Sequence, residues 1–164
     1  QDRKSLTPAL ESYQKWSSSN PNEIVALELP FTTYIGGFKV NGVIDRLEKT
    51  PEGEYVVIDY KTGGKNKKVD ARNSPQLNLY ALALKENPDY GKLPVKAVFF
   101  YVEKPEGEQL FEYEVEAEKV EEVKGILEDM SKQFRKKNLM QLLKCLPASG
   151  VNILIFVKKQ YRIN

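Results

Sequence analysis

The chain has 164 residues, a length that favours one domain with a sizeable core. Its apolar content of 41% is ordinary for a globular protein, and no apolar run is long enough to cross a bilayer. The net charge is only +2, so total charge does not predict a nucleic-acid partner. The absence of histidine excludes Ser-His-Asp catalysis, Cys-His catalysis and histidine-ligated zinc within this chain. Catalysis would have to rely on carboxylates, lysines and tyrosines.

The single cysteine, Cys145, excludes an internal disulfide and fits a reducing, cytoplasmic location. Nothing at the beginning of the chain resembles a signal peptide, and no membrane association is expected. The chain begins with Gln1 rather than Met, which is consistent with a piece of a longer protein.

The first part of the chain predicts a helix followed by three strands. Thr7 is a plausible N-cap with Pro8 at the first helical position, and this predicts a helix over 7–18. The alternation of apolar residues and the turn signal at 50–54 then predict strands over 23–31, 37–49 and 55–61.

The second part predicts a helix, two strands and a final helix. Ser74 and Pro75 open a helix of about 14 residues, which ends before Pro88. Further elements are predicted as strands over 95–103 and 109–115 and a helix over 117–137. One face of the last helix carries Val120, Val123, Ile126, Leu127, Met130 and Phe134. The order α-β-β-β-α-β-β-α predicts an α+β architecture with helices packed on a sheet.

The hairpin across residues 50–54 brings two acids together. If the turn is centred near Glu52, residues whose numbers sum to 104 face each other, and Asp45 lies opposite Asp59. Directly opposed side chains are about 5 Å apart at Cβ, and like charges there are destabilising. Two such carboxylates need a compensating cation or a raised pKa.

Side chains alternate along a strand, so Asp59 and Lys61 share one face while Tyr60 points to the other. Two acids and an ammonium on one patch suit a hard divalent cation such as Mg²⁺ or Mn²⁺. The cation could polarise a phosphate, and Lys61 could hold or activate the attacking water. The alternative is a purely structural Asp59–Lys61 ion pair on an exposed sheet face.

Three strings occur in the order and spacing of a known family. They are Gly42-Val43-Ile44-Asp45-Arg46, Asp59-Tyr60-Lys61-Thr62-Gly63 and Gln76-Leu77-Asn78-Leu79-Tyr80. The chain resembles the RecB-like nucleases of the PD-(D/E)XK superfamily, which include the nuclease domains of RecB and AddB-type helicase-nucleases and CRISPR-associated RecB-like exonucleases. The resemblance implies a restriction-endonuclease-like core, a mixed central sheet flanked by helices, and a metal-dependent DNA nuclease, more specifically an exonuclease.

The resemblance also implies roles for individual residues. Asp45 and Asp59 would be metal ligands, with the backbone carbonyl of Tyr60 as a third and Lys61 as the catalytic lysine. Gln76 and Tyr80 would be the helix-borne catalytic pair, and their spacing of four puts both on one helical face. The chain departs from the family in three ways: no proline precedes Asp45, the second acid is Asp, and no upstream histidine is present. Glu28 lies where relatives often carry a Glu, and we assign it no role.

The implied partners are DNA, as single strands or duplex ends, and a helicase domain or subunit. A basic cluster of Lys65, Lys67, Lys68 and Arg72 would contact phosphates, although a solvated surface is the simpler explanation of its charge. The alternative function is a catalytically inactive nuclease-like module that binds DNA or acts as a scaffold.

We assign residues 1–138 to the nuclease domain and residues 139–164 to an atypical tail. RecB-like nucleases often end in C-x2-C-x5-C, which binds an iron–sulfur cluster, but a chain with one cysteine cannot bind a four-cysteine cluster. Codons for Ser149 to Asn164 can, one base out of frame, also encode EWCKYSDLCKKAIQD and a stop. A frameshift near Asn138 would therefore explain the tail, and a divergent C-terminal strand is the alternative.

Overall fold

The structure is a computed structural model that describes the backbone of residues 3–62, 73–136 and 154–156 and the side chains of residues 8–62 and 73–133. The cluster Lys65, Lys67, Lys68 and Arg72 lies outside these residues. So does most of the 139–164 tail, including Cys145, and the frameshift prediction therefore remains a prediction. None of the helices in the described part of the chain is long and apolar enough to span a lipid bilayer.

The first part of the chain contains the predicted helix and three strands. Their bounds are α1 (Arg3–Ser19), β1 (Glu23–Ile35), β2 (Phe38–Lys49) and β3 (Tyr55–Lys61). The predicted start of α1 was wrong, because Pro8 lies inside the helix rather than at its first position. Proline has no N–H to donate and its ring crowds the carbonyl four residues earlier, yet the helix extends to Arg3.

The second part contains α2 (Pro75–Glu86), β4 (Lys96–Tyr101), β5 (Leu110–Glu114), α3 (Ala117–Lys136) and a three-residue strand β6 (Leu154–Phe156). The predicted cap of α2 is confirmed, since the Ser74 side chain accepts from the N–H of Leu77 at 3.3 Å and Pro75 is the first helical residue. The predicted apolar face of α3 is wrong at Ile126, which is 58% exposed. Val120, by contrast, is fully buried against the sheet and α2.

The sheet is mixed and has helices on both faces. Its strand order is β1-β2-β3-β4-β5, in which only β3 and β4 are parallel, and β6 pairs with the beginning of β2. On one face, α2 and α3 cover a large apolar core that includes Leu47, Val57 and Phe99. On the other face, Tyr13 and Trp16 of α1 cover a smaller cluster of Val56, Ile58, Val98 and Phe100. This arrangement confirms the predicted α+β fold with a mixed central sheet flanked by helices.

The predicted hairpin register is confirmed along the paired part of β2 and β3. Arg46 faces Ile58 and Leu47 faces Val57, and both pairs of residue numbers sum to 104. The alternation of β2 breaks just before this stretch, because Ile44 and Leu47 both enter the core under α2 although they are three residues apart. Opposite the break, Glu28 of β1 has a φ of +50°, a left-handed conformation that is rare for a residue with a side chain. The break lies at Asp45.

Candidate active site

Asp59 and Lys61 lie on the same face of β3, as predicted, and form an ion pair with 2.6 Å between Lys61 Nζ and Asp59 Oδ2. The Asp59 side chain is 3% exposed and that of Lys61 is 26% exposed, so the pair does not lie on an open sheet face. The Lys61 ammonium also lies 4.8 Å from the centre of the Phe99 ring on β4. The site therefore consists of a buried carboxylate and a partly accessible cation.

Helix α2 brings Gln76 and Tyr80 onto this ion pair. Gln76 accepts from Lys61 Nζ at 2.7 Å through its carbonyl oxygen and donates through its amide nitrogen to Asp59 Oδ1 at 2.7 Å. The same nitrogen lies 2.9 Å from the Tyr80 hydroxyl, which donates to Asp59 Oδ1 at 3.4 Å. The i, i+4 spacing of Gln76 and Tyr80 thus places both side chains on the same carboxylate.

Burial raises the pKa of the Asp59 carboxyl above its ordinary value. The adjacent positive charge of Lys61 opposes this shift, whereas the nearby negative charge of Asp45 adds to it. Asp59 Oδ2 is buried and lies within ion-pair distance of Lys61 but has no aligned hydrogen bond among the described residues. One oxygen of the central acid therefore has capacity for a further positively charged partner.

Asp45 lies next to this group but beyond the last ladder pair of β2 and β3. Its Oδ2 accepts a hydrogen bond from the backbone N–H of Tyr60 at 2.9 Å. Because the N–H and C=O of one residue in a strand point to the same edge, the Tyr60 carbonyl is also directed toward the Asp45 side of β3. The strand edge thus carries a carboxylate and a carbonyl beside Asp59.

These donors fit a hard divalent cation. Mg²⁺ is usually held by one or two carboxylates, with water and substrate phosphate completing its coordination. Asp45, Asp59 and the Tyr60 carbonyl supply oxygen ligands of that kind. Asp59 Oδ2 is one of two buried side-chain atoms among the described residues, with Arg46 Nε, that have no aligned hydrogen bond. Among the described residues, no group of three or more His, Cys, Asp or Glu side chains lies together as a metal site. The described part of the site thus rests on two acids.

Sequence reasoning missed a third aromatic neighbour, Tyr101. The parallel pairing of β3 and β4 puts Tyr101 beside Lys61. Burial raises the pKa of the Tyr101 phenol, and the charge of Asp59 raises it further. The register between β3 and β4 would have identified Tyr101. Because α2 lies between these strands in the chain, residue spacing does not predict that register. Glu28, to which no role was assigned, is exposed on β1.

Comparisons with known proteins identify the superfamily of the chain. The family model of the PD-(D/E)XK nuclease superfamily matches residues 1–145. No curated protein sequence matches the chain. Among 21 matching chains of solved structures, one is described as the crystal structure of SSO0001, with 18% sequence identity and a TM-score of 0.45. That match covers 80% of this chain and 58% of the SSO0001 chain, so this chain spans little more than half of its length.

Proposed function

The chain belongs to the PD-(D/E)XK nuclease superfamily, and from that premise we propose that it is a divalent-metal-dependent deoxyribonuclease of the RecB-like branch. One observation carries this proposal. Asp59, Lys61, Gln76 and Tyr80, which come from two elements, form a single connected group of polar contacts, and Asp45 lies at its edge. A group of this composition can bind a cation and handle a phosphate.

Asp45, Asp59 and the Tyr60 carbonyl are the proposed ligands of Mg²⁺ or Mn²⁺. A bound cation would polarise the scissile phosphate and stabilise the negative charge that develops on it. Burial raises the pKa of Asp59, and the negative charge of Asp45 raises it further because the two carboxylates repel each other. A bound cation would relieve the repulsion between the two carboxylates. The close placement of Asp45 and Asp59 therefore disfavours the site without a cation and favours the site with one.

Lys61 is the proposed catalytic lysine. Its ammonium is oriented by Asp59 and by the Gln76 carbonyl, and its side chain remains 26% exposed. A compact cation held in this way can donate hydrogen bonds to the attacking water and to a phosphate oxygen. Gln76 bridges Lys61 and Asp59, so it fixes the position of one relative to the other.

The proposed substrate is DNA with free ends, cleaved as single strands or duplex ends by exonuclease action. The resemblance to RecB-like nucleases supports this choice, and it also supports a helicase domain or subunit as partner. The basic residues Lys65, Lys67, Lys68 and Arg72 are proposed to contact phosphates, which would make binding weaken steeply with salt.

The proposal is tested by incubating the protein with labelled single- and double-stranded DNA in Mg²⁺ or Mn²⁺, with a chelator as the reference condition. Asp59→Ala is compared with Asp129→Ala, which alters an exposed Asp that pairs with Lys132 on α3. We expect cleavage by the wild type and by Asp129→Ala, and loss of cleavage in Asp59→Ala or with the chelator. Cleavage that persists in Asp59→Ala would contradict the assignment.

Circular and linear forms of the same single-stranded DNA separate exonuclease from endonuclease action. We expect the linear form to be degraded and the circular form to resist, because only the linear form has an end. Binding of both forms without metal-dependent cleavage of either would favour the alternative, an inactive DNA-binding module.

A further inference from the structure

A second buried polar group lies on the sheet face opposite the acids, directly behind them. Arg46 follows Asp45 in β2, and its side chain is 1% exposed beneath α1. Its guanidinium lies 5.1 Å from the centre of the Trp16 ring. It donates to the hydroxyls of Tyr13 at 3.0 Å and Tyr60 at 3.4 Å. None of these contacts takes part in the proposed chemistry.

Glu48 fixes the guanidinium from the other side. The two side chains form an ion pair in which each is 1% exposed. The carboxylate of Glu48 also accepts from the amide of Asn20 at 2.8 and 2.9 Å and from that of Asn22 at 2.9 Å. Both asparagines follow α1, so the helix end, β2 and the guanidinium are joined by one network. We call Arg46, Glu48, Tyr13 and Tyr60 the arginine clamp.

The arginine clamp lies where the ladder of β2 and β3 ends, next to Asp45. Arg46 and Ile58 form the last ladder pair of β2 and β3 at this end. One residue further, the strands are joined by the hydrogen bond from the Tyr60 N–H to Asp45 Oδ2. Where the ladder of β2 and β3 ends, the Arg46 and Tyr60 side chains connect the two strands on the α1 face.

We propose that Arg46 is a positioning residue that, through Tyr60, sets the separation between the two strand ends that carry the Asp45 carboxylate and the Tyr60 carbonyl. This inference rests on the proposed function, because those oxygens are proposed cation ligands. The side chains of Arg46 and Tyr60 belong to the arginine clamp. The proposed ligand atoms lie next to them along the chain, namely the carboxylate of Asp45, which precedes Arg46, and the backbone carbonyl of Tyr60 itself. A shift of the Tyr60 side chain therefore moves the ligand set as well.

Two variants loosen the arginine clamp without altering any proposed ligand. Tyr60→Phe removes the hydroxyl that accepts from Arg46 and retains the backbone carbonyl. The double variant Arg46→Met with Glu48→Gln removes both charges together, because a lone Glu48 left buried would threaten folding. Val98→Ala is the matched control, since Val98 packs in the same small cluster under α1 but belongs to β4.

The first measurement is the affinity for Mn²⁺ alone, by calorimetry, in the absence of DNA. Partners that orient metal ligands typically contribute about 10–100-fold to metal affinity. We expect affinity to fall by about tenfold in both clamp variants and to remain at the wild-type level in Val98→Ala. Wild-type affinity in both clamp variants, or an equal loss in Val98→Ala, would overturn the proposal.

The second measurement needs no metal and follows hydrogen exchange of the Tyr60 amide, which donates to Asp45. We expect exchange of this amide to accelerate by about tenfold in the clamp variants, relative to the Val57 amide inside the ladder, and not in Val98→Ala. If the wild type binds no Mn²⁺, the proposed function fails, and the exchange rates still decide the clamp. Unchanged Tyr60 exchange in the clamp variants would then refute it.

Discussion

The two faces of the sheet carry two ion pairs, Asp59–Lys61 and Arg46–Glu48, which differ in how completely their carboxylates are hydrogen-bonded. Both carboxylate oxygens of Glu48 accept hydrogen bonds, and neither partner of that pair is accessible. In the other pair, Asp59 Oδ2 has no aligned hydrogen bond among the described residues, and a quarter of Lys61 is exposed. A fully hydrogen-bonded carboxylate can only hold a geometry, whereas a carboxylate with an unbonded oxygen can accept another partner. In this sense of its carboxylate we call the Arg46–Glu48 pair saturated and the Asp59–Lys61 pair unsaturated, although Arg46 Nε also has no hydrogen-bond partner among the described residues.

The same difference appears in the charges. Burial disfavours the charged form of Asp59 enough to raise its pKa although Lys61 is adjacent. For Arg46, burial also opposes the charge, but the hydrogen bond to Tyr60 and the charge of Glu48 outweigh it and raise the pKa. The charged form of Asp59 is therefore disfavoured in the site under α2, whereas the charged form of Arg46 is favoured in the group under α1.

The largest effect we expect is on activity at the unsaturated pair. Lys61→Met should lower the DNA cleavage rate by about 10²–10⁴-fold, the usual contribution of a positioned acid–base group. Its control is Lys96→Met, which alters a half-exposed lysine that pairs with Glu112. Initial cleavage rates at saturating Mg²⁺ measure this, and equal rates for the two variants would remove Lys61 from the chemistry.

The next effect is on stability at the saturated pair. Arg46→Met leaves Glu48 charged and buried, which should lower the free energy of unfolding by about 3–5 kcal/mol. Lys61→Met should lower it by less than half as much, since Asp59 with its raised pKa can take up a proton instead. Urea unfolding at pH 7 compares the two variants. An equal loss in both would mean that the pairs do not differ as described.

Tyr80 and Tyr113 provide a matched test of the site hydroxyl. Both are buried, and each hydroxyl is hydrogen-bonded to a side chain of α2. The partner of Tyr80 is Gln76, and the partner of Tyr113 is Asn78. Tyr113→Phe should lower stability by about 0.5–1.5 kcal/mol, as expected for one lost hydrogen bond. Tyr80→Phe should lower it by at least as much, because its hydroxyl accepts from Gln76 and donates to Asp59. Only Tyr80→Phe should also reduce cleavage, by about tenfold, because only that hydroxyl reaches Asp59. Rates and urea midpoints of both variants distinguish the roles.

The smallest effect we expect is a gain in the free energy of unfolding that depends on pH. Because the pKa of Asp59 in the folded state lies above its ordinary value of 3.8, the folded protein binds more protons than the unfolded chain between pH 3.8 and the folded-state pKa. Its contribution to stability therefore decreases as pH rises through that window and remains unfavourable above it. Asp59→Asn does not titrate, so it should be more stable at pH 7 by about 1 kcal/mol while losing cleavage. Unfolding measured from pH 3 to 7 checks this, and a destabilised variant at pH 7 would contradict it.

Much of the site could be predicted because its signals are local. The turn at 50–54 determines the hairpin register, and the register predicts which side of β3 carries Asp59 and Lys61. The Ser74 cap and Pro75 determine where α2 begins, so they also determine which helical face presents Gln76 and Tyr80. These features depend on residues a few positions apart.

Other predictions were wrong or incomplete because they depend on distant packing. The sequence pattern puts Asp45 opposite Asp59, but the β2–β3 ladder ends at Arg46 and Asp45 binds the Tyr60 N–H instead. Ile126 follows the apolar period of α3 and is still exposed, since the covered side of α3 runs along Val120, Val123, Leu127 and Ser131.

The sequence by itself determined the order of the elements, the hairpin register and the residue types of the site, because helical and strand periods and turn chemistry act over a few residues. Only the tertiary structure decided that α2 would cover Asp59 and leave one of its oxygens without an aligned hydrogen bond. It also decided that Arg46 and Glu48 would be buried together under α1 behind the same strands. Layer packing joins residues that are far apart in the chain, so no local pattern records it.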